Sequence, residues 1–241
     1  MALYHSPRVV LDGLESYLDA ANTKSYPGTG TSFFDLTGKG NNGTLISSPE
    51  YVSDYNGGFS FLNNTSRRIT VTTTGNMIVT PTSSFTISVI FEATELPFRQ
   101  DGLDTHCAIY GRGATVGSQG IAVRQTNAGA LDIFAGTRAV GLIAESFPIN
   151  PNTVYNAVLT YSSSLQQLYV NGEFISSSDT SSGVSGTFDT GDWGIFNSAP
   201  APAGNGVYAT AKFYLGMFYS KVLTSDEVYQ NFQAVRGRFN I

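Results

Sequence analysis

Charged residues are scarce in this sequence, and Gly, Ser, Thr and Asn take much of their usual share. Asp, Glu, Lys and Arg together make up 13% of the 241 residues. Helix-rich domains normally carry more Glu, Lys and Ala, so this shortage favours a turn-rich β-protein. The 13 Lys and Arg residues form no basic stripe along the chain. We therefore expect no nucleic-acid binding, which needs clustered cations to neutralise phosphates.

Cysteines and long apolar runs are also missing. The single cysteine, Cys107, excludes an internal disulfide framework. No apolar run approaches the roughly 20 residues that a membrane-spanning helix needs, so we expect no membrane insertion. The first 13 residues lack the apolar stretch of a signal peptide, which predicts folding in a cytoplasm without export. With 16 Phe, 13 Tyr and 41% hydrophobic residues, the chain can still build a sizeable core.

Hydrophobic and polar side chains alternate in many short segments, as in half-buried β-strands. Phe85–Glu92 and Val154–Tyr161 each place four alternate residues, most of them apolar, on one face. In Ala211–Tyr219, every second residue from Ala211 to Tyr219 is expected to share a face. Shorter candidate strands are Phe59–Leu62, Arg68–Thr72, Cys107–Gly111, Gly120–Gln125, Leu131–Ala135 and Trp193–Phe196.

Leu165–Ile175 predicts a β-hairpin, because Asn171-Gly172 separates two strand-like arms and both residues tolerate the positive φ of a type I′ turn. Many short strands with intervening turns indicate an all-β sandwich of two antiparallel sheets. We divide the chain into an N-terminal arm, 1–12, and a single domain, 13–241.

The C-terminal segment carries the signature of one short helix. Thr224 and Glu227 fit a capping box, and apolar residues follow at helical spacing. The helix is predicted over 225–236, with Gly237 as its stop. We expect it to close one edge or end of the sandwich.

Four segments are more distinctive than these general patterns. Gly13–Leu45 runs from a short apolar strand through Tyr-Pro-Gly into a turn-dense stretch rich in Gly and Asn. Phe85–Ser88, Tyr155–Gly172 and Tyr219–Phe239 follow it. In this order and spacing, the segments resemble laminin-G-like, or concanavalin A-like, jelly-roll domains of tailed-bacteriophage virion proteins.

This resemblance implies a concanavalin A-like (LamG-like) jelly roll in a non-enzymatic phage virion structural protein, either a capsid decoration protein or a tail or fibre component. Its expected partners are other virion proteins in a homo-oligomeric or multi-copy assembly, with adhesion to host surface glycans as an added role. The segment Met1–Pro7 is a candidate docking arm. The alternative is a free carbohydrate-binding, lectin-like module.

Asp35 is the candidate metal ligand, in a calcium loop with Asn41 and Asn42. Many members of the family carry acidic residues in the penultimate strand, but the equivalent Phe213–Phe218 has none. Calcium takes about six to eight oxygen ligands, several of them carboxylates. Local Asx-type hydrogen bonds are therefore the favoured interpretation of these three residues, and we expect no cofactor.

Hydrolysis of glycosidic bonds is not expected. Retaining glycosidases place two carboxyl groups about 5–5.5 Å apart. The enzyme branch of the superfamily supplies its acids as ExDxE along one strand, and this sequence has no such triplet. The pairs Glu92/Glu95 and Asp101/Asp104 have the wrong spacing for one strand face.

Aromatic and acidic residues in or near loops are candidates for contacts with a glycan or a protein partner. They are Tyr26, Phe98, Asp101, Asp104, Trp193 and Tyr208. Aromatic faces can stack on sugar rings, and carboxylates can bind sugar hydroxyls. The competing interpretation, that the ring packs in the core, applies to Trp193 and to Phe34.

Overall fold

The computed structural model describes residues 7–63, 66–96, 105–112, 119–126, 128–137, 141–142, 146–180, 188, 191–197 and 209–241. Its strands are β1 (Leu14–Asp19), β2 (Ser32–Phe33), β3 (Gly43–Ile46), β4 (Glu50–Val52), β5 (Gly58–Phe61), β6 (Arg68–Val71), β7 (Phe85–Glu95), β8 (Thr105–Arg112), β9 (Gln119–Gln125), β10 (Leu131–Thr137), β11 (Gly141–Leu142), β12 (Phe147–Ile149), β13 (Thr153–Tyr161), β14 (Leu165–Val170), β15 (Glu173–Asp179), β16 (Trp193–Asn197) and β17 (Thr210–Tyr219). One α-helix, α1 (Ser225–Phe239), follows them.

The strands form two antiparallel sheets. Sheet I has the order β15-β14-β13-β7-β17-β5-β4, and β1 pairs with β17. Sheet II has the order β11-β10-β9-β8-β16-β6-β3-β2, and β12 pairs with β10. The predicted all-β jelly-roll sandwich with a C-terminal helix is confirmed, and each of the shorter candidate segments overlaps an observed strand.

The inner faces of the two sheets meet in one aromatic-rich core. Every second residue of β7 from Phe85 to Phe91 lies in it, as the alternation predicted. The same holds for β13 from Tyr155 to Tyr161. Sheet II contributes Trp193, whose ring centroid lies 6.0 Å from that of Phe85. Contacts of this kind join the sheets across the sandwich.

Strand β17 departs from its predicted alternation because it contains a bulge. Its pairing register with β7 shifts between Phe213 and Leu215. Ala211 and Phe213 face the core between the sheets, whereas Leu215, Met217 and Tyr219 belong to a second cluster on the opposite face of sheet I. An extra residue in a strand reverses which side chains point inward. The prediction of a single shared face is therefore wrong beyond Phe213.

Helix α1 covers the outer face of sheet I and does not close an edge or end of the sandwich. Val228 and Phe239 of the helix pack in the second cluster with Ile90, Val158 and other outward-facing residues of the sheet. The sequence showed the apolar stripe of the helix but not the apolar outer face that it covers. The central strands of sheet I are consequently buried on both faces, whereas β15 at its edge stays largely exposed.

The chain before β1 also belongs to this second core. The Val10 amide donates a 2.7 Å hydrogen bond to Asn231 Oδ1, and its carbonyl accepts one of 3.1 Å from the Tyr219 hydroxyl. Part of the segment predicted as a separate N-terminal arm is thus held against α1. The candidate docking segment lies outside the described residues except for Pro7.

Helix α1 begins as predicted and ends later. Thr224 Oγ1 accepts a hydrogen bond from the Glu227 amide, and the Glu227 carboxylate accepts one from the Thr224 amide. The helix passes through Gly237, the predicted stop, because the buried Phe239 beyond it packs in the second core. It ends at Phe239 and is capped by Asn240, which has the left-handed conformation. Among the described residues, no helix is both long and apolar enough to cross a membrane.

The predicted hairpin is confirmed. Val170 pairs with Glu173, which leaves Asn171 and Gly172 as a two-residue turn between β14 and β15. Both turn residues have positive φ, 51° and 81°, as a type I′ turn requires. Gly172 also lies so close to Phe232 that a Cβ there would be 2.7 Å from the ring. The turn is therefore fitted directly against α1.

Candidate functional site

The turn-dense loop that follows β2 is fixed by the Asp35 carboxylate. Its Oδ1 accepts hydrogen bonds from the amides of Tyr17 and Thr37, both at 3.0 Å. Its Oδ2 accepts one of 2.6 Å from the Thr37 hydroxyl. Asn42 Oδ1 in turn accepts a 2.9 Å bond from the Asp35 amide. The bonds with Thr37 are the local bonds of the Asx-type interpretation, and the bond from Tyr17 ties the loop to β1.

Asn41 makes the longer-range connections of the same loop. Its Nδ2 donates a 2.8 Å bond to the main-chain carbonyl of Glu15. Its Oδ1 accepts bonds from the amide and the hydroxyl of Thr74, at 3.1 and 2.8 Å. The candidate calcium ligands therefore use their side-chain oxygens within the protein. The described residues contain no group of three or more His, Cys, Asp or Glu that could hold a metal ion.

Glu15 is a buried hub that the sequence analysis missed. Its carboxylate accepts hydrogen bonds from Lys39 Nζ at 2.9 Å, Asn76 Nδ2 at 3.0 Å and Ser220 Oγ at 2.8 Å. Burial acts to raise its pKa, but these donors outweigh burial and hold the pKa below its ordinary value. The hub joins the loop, the turn before β7 and the end of β17. A lone Glu in an apolar strand was the only sequence signal for it.

Two of the predicted contact residues are buried, which is a correction to that prediction. Trp193 is fully buried, and its Nε1 donates a 3.0 Å bond to the Met77 carbonyl. Tyr26 is 7% exposed, and its ring lies 4.8 Å from that of Phe59. Neither ring offers a face to a ligand in solution. Phe34 is the reverse case, since it is 45% exposed although core packing was considered for it.

The other four predicted contact residues lie outside the part of the chain that the structure describes. They are Phe98, Asp101, Asp104 and Tyr208.

The outer face of sheet II has a floor of small residues. Ala108 of β8 pairs with Ala122 of β9, which pairs with Phe134 of β10. One row further along the strands, glycines are aligned across the same three strands and β16. These glycines are Gly194, Gly111, Gly120 and Gly136. Ala108, Ala122 and Gly120 are partly exposed, whereas Gly111, Gly136 and Gly194 are buried, so the accessible part of the floor lies along the two alanines and Gly120.

A polar cluster borders this floor. Arg124 donates from Nε and Nη2 to the two carboxylate oxygens of Asp132, and Ser146 Oγ lies 2.9 Å from Asp132 Oδ2. The Arg124 guanidinium carbon is 5.9 Å from the centre of the Phe134 ring. Bidentate pairing fixes the guanidinium and neutralises its charge. The border is thus rigid, hydrogen-bonding and close to neutral.

The acidic pair on β7 does not form a hydrolytic site. Glu92 accepts a 3.1 Å bond from the Tyr214 hydroxyl and pairs with Lys212 at 3.2 Å, on the outer face of sheet I. Glu95 lies at the exposed end of the strand and accepts a 2.9 Å bond from Asn63. Each carboxylate has its own structural partners, and the two do not face a shared cleft.

Comparisons with known proteins agree with this architecture. Residues 63–229 match the family model Laminin_G_3, described as the concanavalin A-like lectin/glucanases superfamily. Comparison with the sequences of curated proteins finds no significant match.

Several solved structures share the fold at low sequence identity. Trypanosoma rangeli sialidase in complex with sialic acid superimposes with a TM-score of 0.65 and 16% identity, over 99% of this chain and 37% of that one. The binding domain of Paraclostridial Mosquitocidal Protein 1 gives 0.62 and 18%, over 91% and 52%. The binding domain of botulinum neurotoxin serotype D gives 0.60 and 12%, over 92% and 51%.

This chain therefore spans only about a third to a half of the length of these proteins. At such identities the likeness concerns the fold alone. The family match over residues 63–229 carries the assignment further: this chain belongs to the concanavalin A-like lectin/glucanases superfamily.

Proposed function

We propose that this chain is a non-enzymatic, glycan-binding module of a tailed-phage virion protein, and that it binds through the outer face of sheet II. The observation that carries the proposal is the small-residue floor of that face, bordered by Phe134 and the neutral Arg124–Asp132 pair. A flat, hydrogen-bonding surface with an aromatic border suits a sugar chain. The solved binding domains that share the fold support a binding role.

The contacts of the acids on β7 and β10, in the part of the chain that the structure describes, support the non-enzymatic part of the proposal. Within the described residues, Glu92 and Glu95 are separately engaged and Asp132 is neutralised by Arg124. Glycoside hydrolysis requires one carboxyl group to donate a proton while a second acts across the bond. The carboxylate oxygens of these three acids are already used in contacts within the protein, so none of them is placed to act on a bound sugar.

The virion assignment rests on the resemblance of the sequence segments in their order and spacing. In that setting, other virion proteins and further copies of this chain are the protein partners. The segment around Val10 and helix α1 both lie on the outer face of sheet I.

A glycan array tests the binding proposal. The wild-type chain should bind a defined set of glycans, and Ala122→Arg should weaken that binding strongly by placing a long charged side chain on the floor. Thr29→Arg adds the same charge in an exposed loop and should bind normally. The proposal is refuted if the wild-type chain binds no glycan on the array, or if the two variants bind equally.

Quantitative mass spectrometry of purified phage particles tests the virion assignment. A copy number close to that of the major capsid protein indicates a decoration protein, and a few copies indicate a tail or fibre component. Absence from particles would leave the free lectin-like module as the remaining interpretation.

A further inference from the structure

Two aromatic side chains are left exposed beside helix α1. Phe174 of β15 is 52% exposed, and Tyr229 of α1 is 49% exposed. Phe174 is the direct cross-strand partner of Tyr169, and the two rings are in edge contact at 5.7 Å. Tyr169 packs in the second core, on the outer face of sheet I. Phe174 therefore stands on that same face, at the edge of the sheet.

The side of α1 that carries Tyr229 faces this edge. The Tyr169 hydroxyl lies 3.1 Å from Ser225 Oγ in the first turn of the helix. Tyr229 follows Ser225 by four residues, so the two side chains share one helix face. Helical side chains lean towards the N-terminus, which directs the Tyr229 ring towards Ser225 and the hairpin. Phe232 continues the same face to Gly172 at the hairpin turn.

Phe174 and Tyr229 thus flank a step between the side of α1 and the uncovered edge of sheet I, here called the aromatic step. Its floor is polar. Gln167 and Ser177 pair across β14 and β15, and Gln167 Oε1 accepts a 3.3 Å bond from the Tyr169 hydroxyl. Ser177 is exposed. Aromatic rings therefore alternate with an amide and hydroxyl groups within the step.

We propose that the aromatic step is a second carbohydrate site, which binds one neutral pyranose unit. Phe174 and Tyr229 would pack against the C–H faces of the sugar, while Gln167 and Ser177 would bind its hydroxyl groups. An apolar protein partner would leave the amide and hydroxyls without hydrogen bonds, which is unfavourable. The exposed Glu173 on β15 disfavours an anionic sugar. The ligand class rests on the proposed function, but the site is separate from the sheet II face.

Saturation-transfer NMR with the methyl pyranosides of glucose, galactose, mannose and N-acetylglucosamine tests the site. At least one sugar should receive magnetisation from the wild-type chain. In the Ala122→Arg background, where the sheet II face is blocked, the double variant Phe174→Ser/Tyr229→Ser should weaken binding about tenfold or more, which corresponds to about 1.4 kcal/mol. Phe174→Tyr/Tyr229→Phe keeps both rings and should retain wild-type affinity. Because both residues are about half exposed, all variants should melt within about 2 °C of the wild type.

Each other outcome overturns the proposal. No transfer from any of the four sugars refutes it, as does unchanged binding by the serine variant. If the serine variant binds sugars normally but is no longer incorporated into particles, the aromatic step is a protein interface. The Ala122→Arg variant separates the two sites. If it alone loses glycan binding, the sheet II face stands and the aromatic step fails. If only the serine variant loses binding, the aromatic step stands and the sheet II face fails.

Discussion

Replacing Asn41 by alanine should destabilise the fold although Asn41 lies in a surface loop. The side chain is 1% exposed and makes three hydrogen bonds, one to Glu15 and two to Thr74. Alanine removes all of them and leaves the surrounding backbone unchanged. The loop would then lose its connections to β1 and to Thr74, in the segment between β6 and β7.

The magnitude follows from how far water can replace each bond. Each hydrogen bond contributes about 1 kcal/mol net, and more when its partner is left buried. The bond to the Glu15 carbonyl is buried, whereas Thr74 is exposed and can bond to water instead. We expect a loss of about 2 kcal/mol in the free energy of unfolding. Over 241 residues, an unfolding entropy of about 0.5 kcal/mol/K converts this into a Tm about 4 °C lower.

Differential scanning calorimetry at neutral pH measures this shift. Asn42→Ala is the matched control, because it removes one side-chain bond, to the Asp35 amide, and should lower Tm by about 2 °C. The reasoning is refuted if Asn41→Ala melts within about 1 °C of the wild type, or if the control loses as much.

Three further predictions concern stability. Hydrogen-bond donors hold the pKa of Glu15 below 4.5, so the stabilisation that its ionised form gives to the fold is complete above that pH and is lost as the pH falls through the lower pKa of the folded state. The difference in Tm between the wild type and Glu15→Gln should therefore shrink in acid, and a constant difference would contradict this. Gly172→Ala should lower the free energy of unfolding, measured in urea, by about 2 kcal/mol, because the added methyl group meets the Phe232 ring. The control Gly38→Ala should lower it by about 1 kcal/mol, because Gly38 also has a positive φ but lies in open space. Equal losses would exclude the contact with Phe232. Trp193→Ala should lose about 3–5 kcal/mol, and an unchanged melting curve would show that its burial is wrong.

Local patterns in the sequence were sufficient for much of the fold. Alternation located β7 and β13 and their inward faces, because a strand with one apolar face can be buried in only one orientation. The Asn-Gly turn and the Thr224–Glu227 capping box are interactions between residues close in the chain, so short segments specify them. The Asx-type bonds of Asp35 are local in the same way.

Other features depend on contacts between distant segments, and only the tertiary structure decided them. The bulge in β17 follows from its pairing with β7, and it changes the face of every later residue. Helix α1 passes Gly237 because Phe239 finds a buried site on sheet I. Packing between the sheets buries Trp193, while the hairpin and the helix bring Phe174 and Tyr229 to one step. The sequence alone determined the elements and their apolar faces; their pairing registers and long-range contacts determined which side chains remain available to bind.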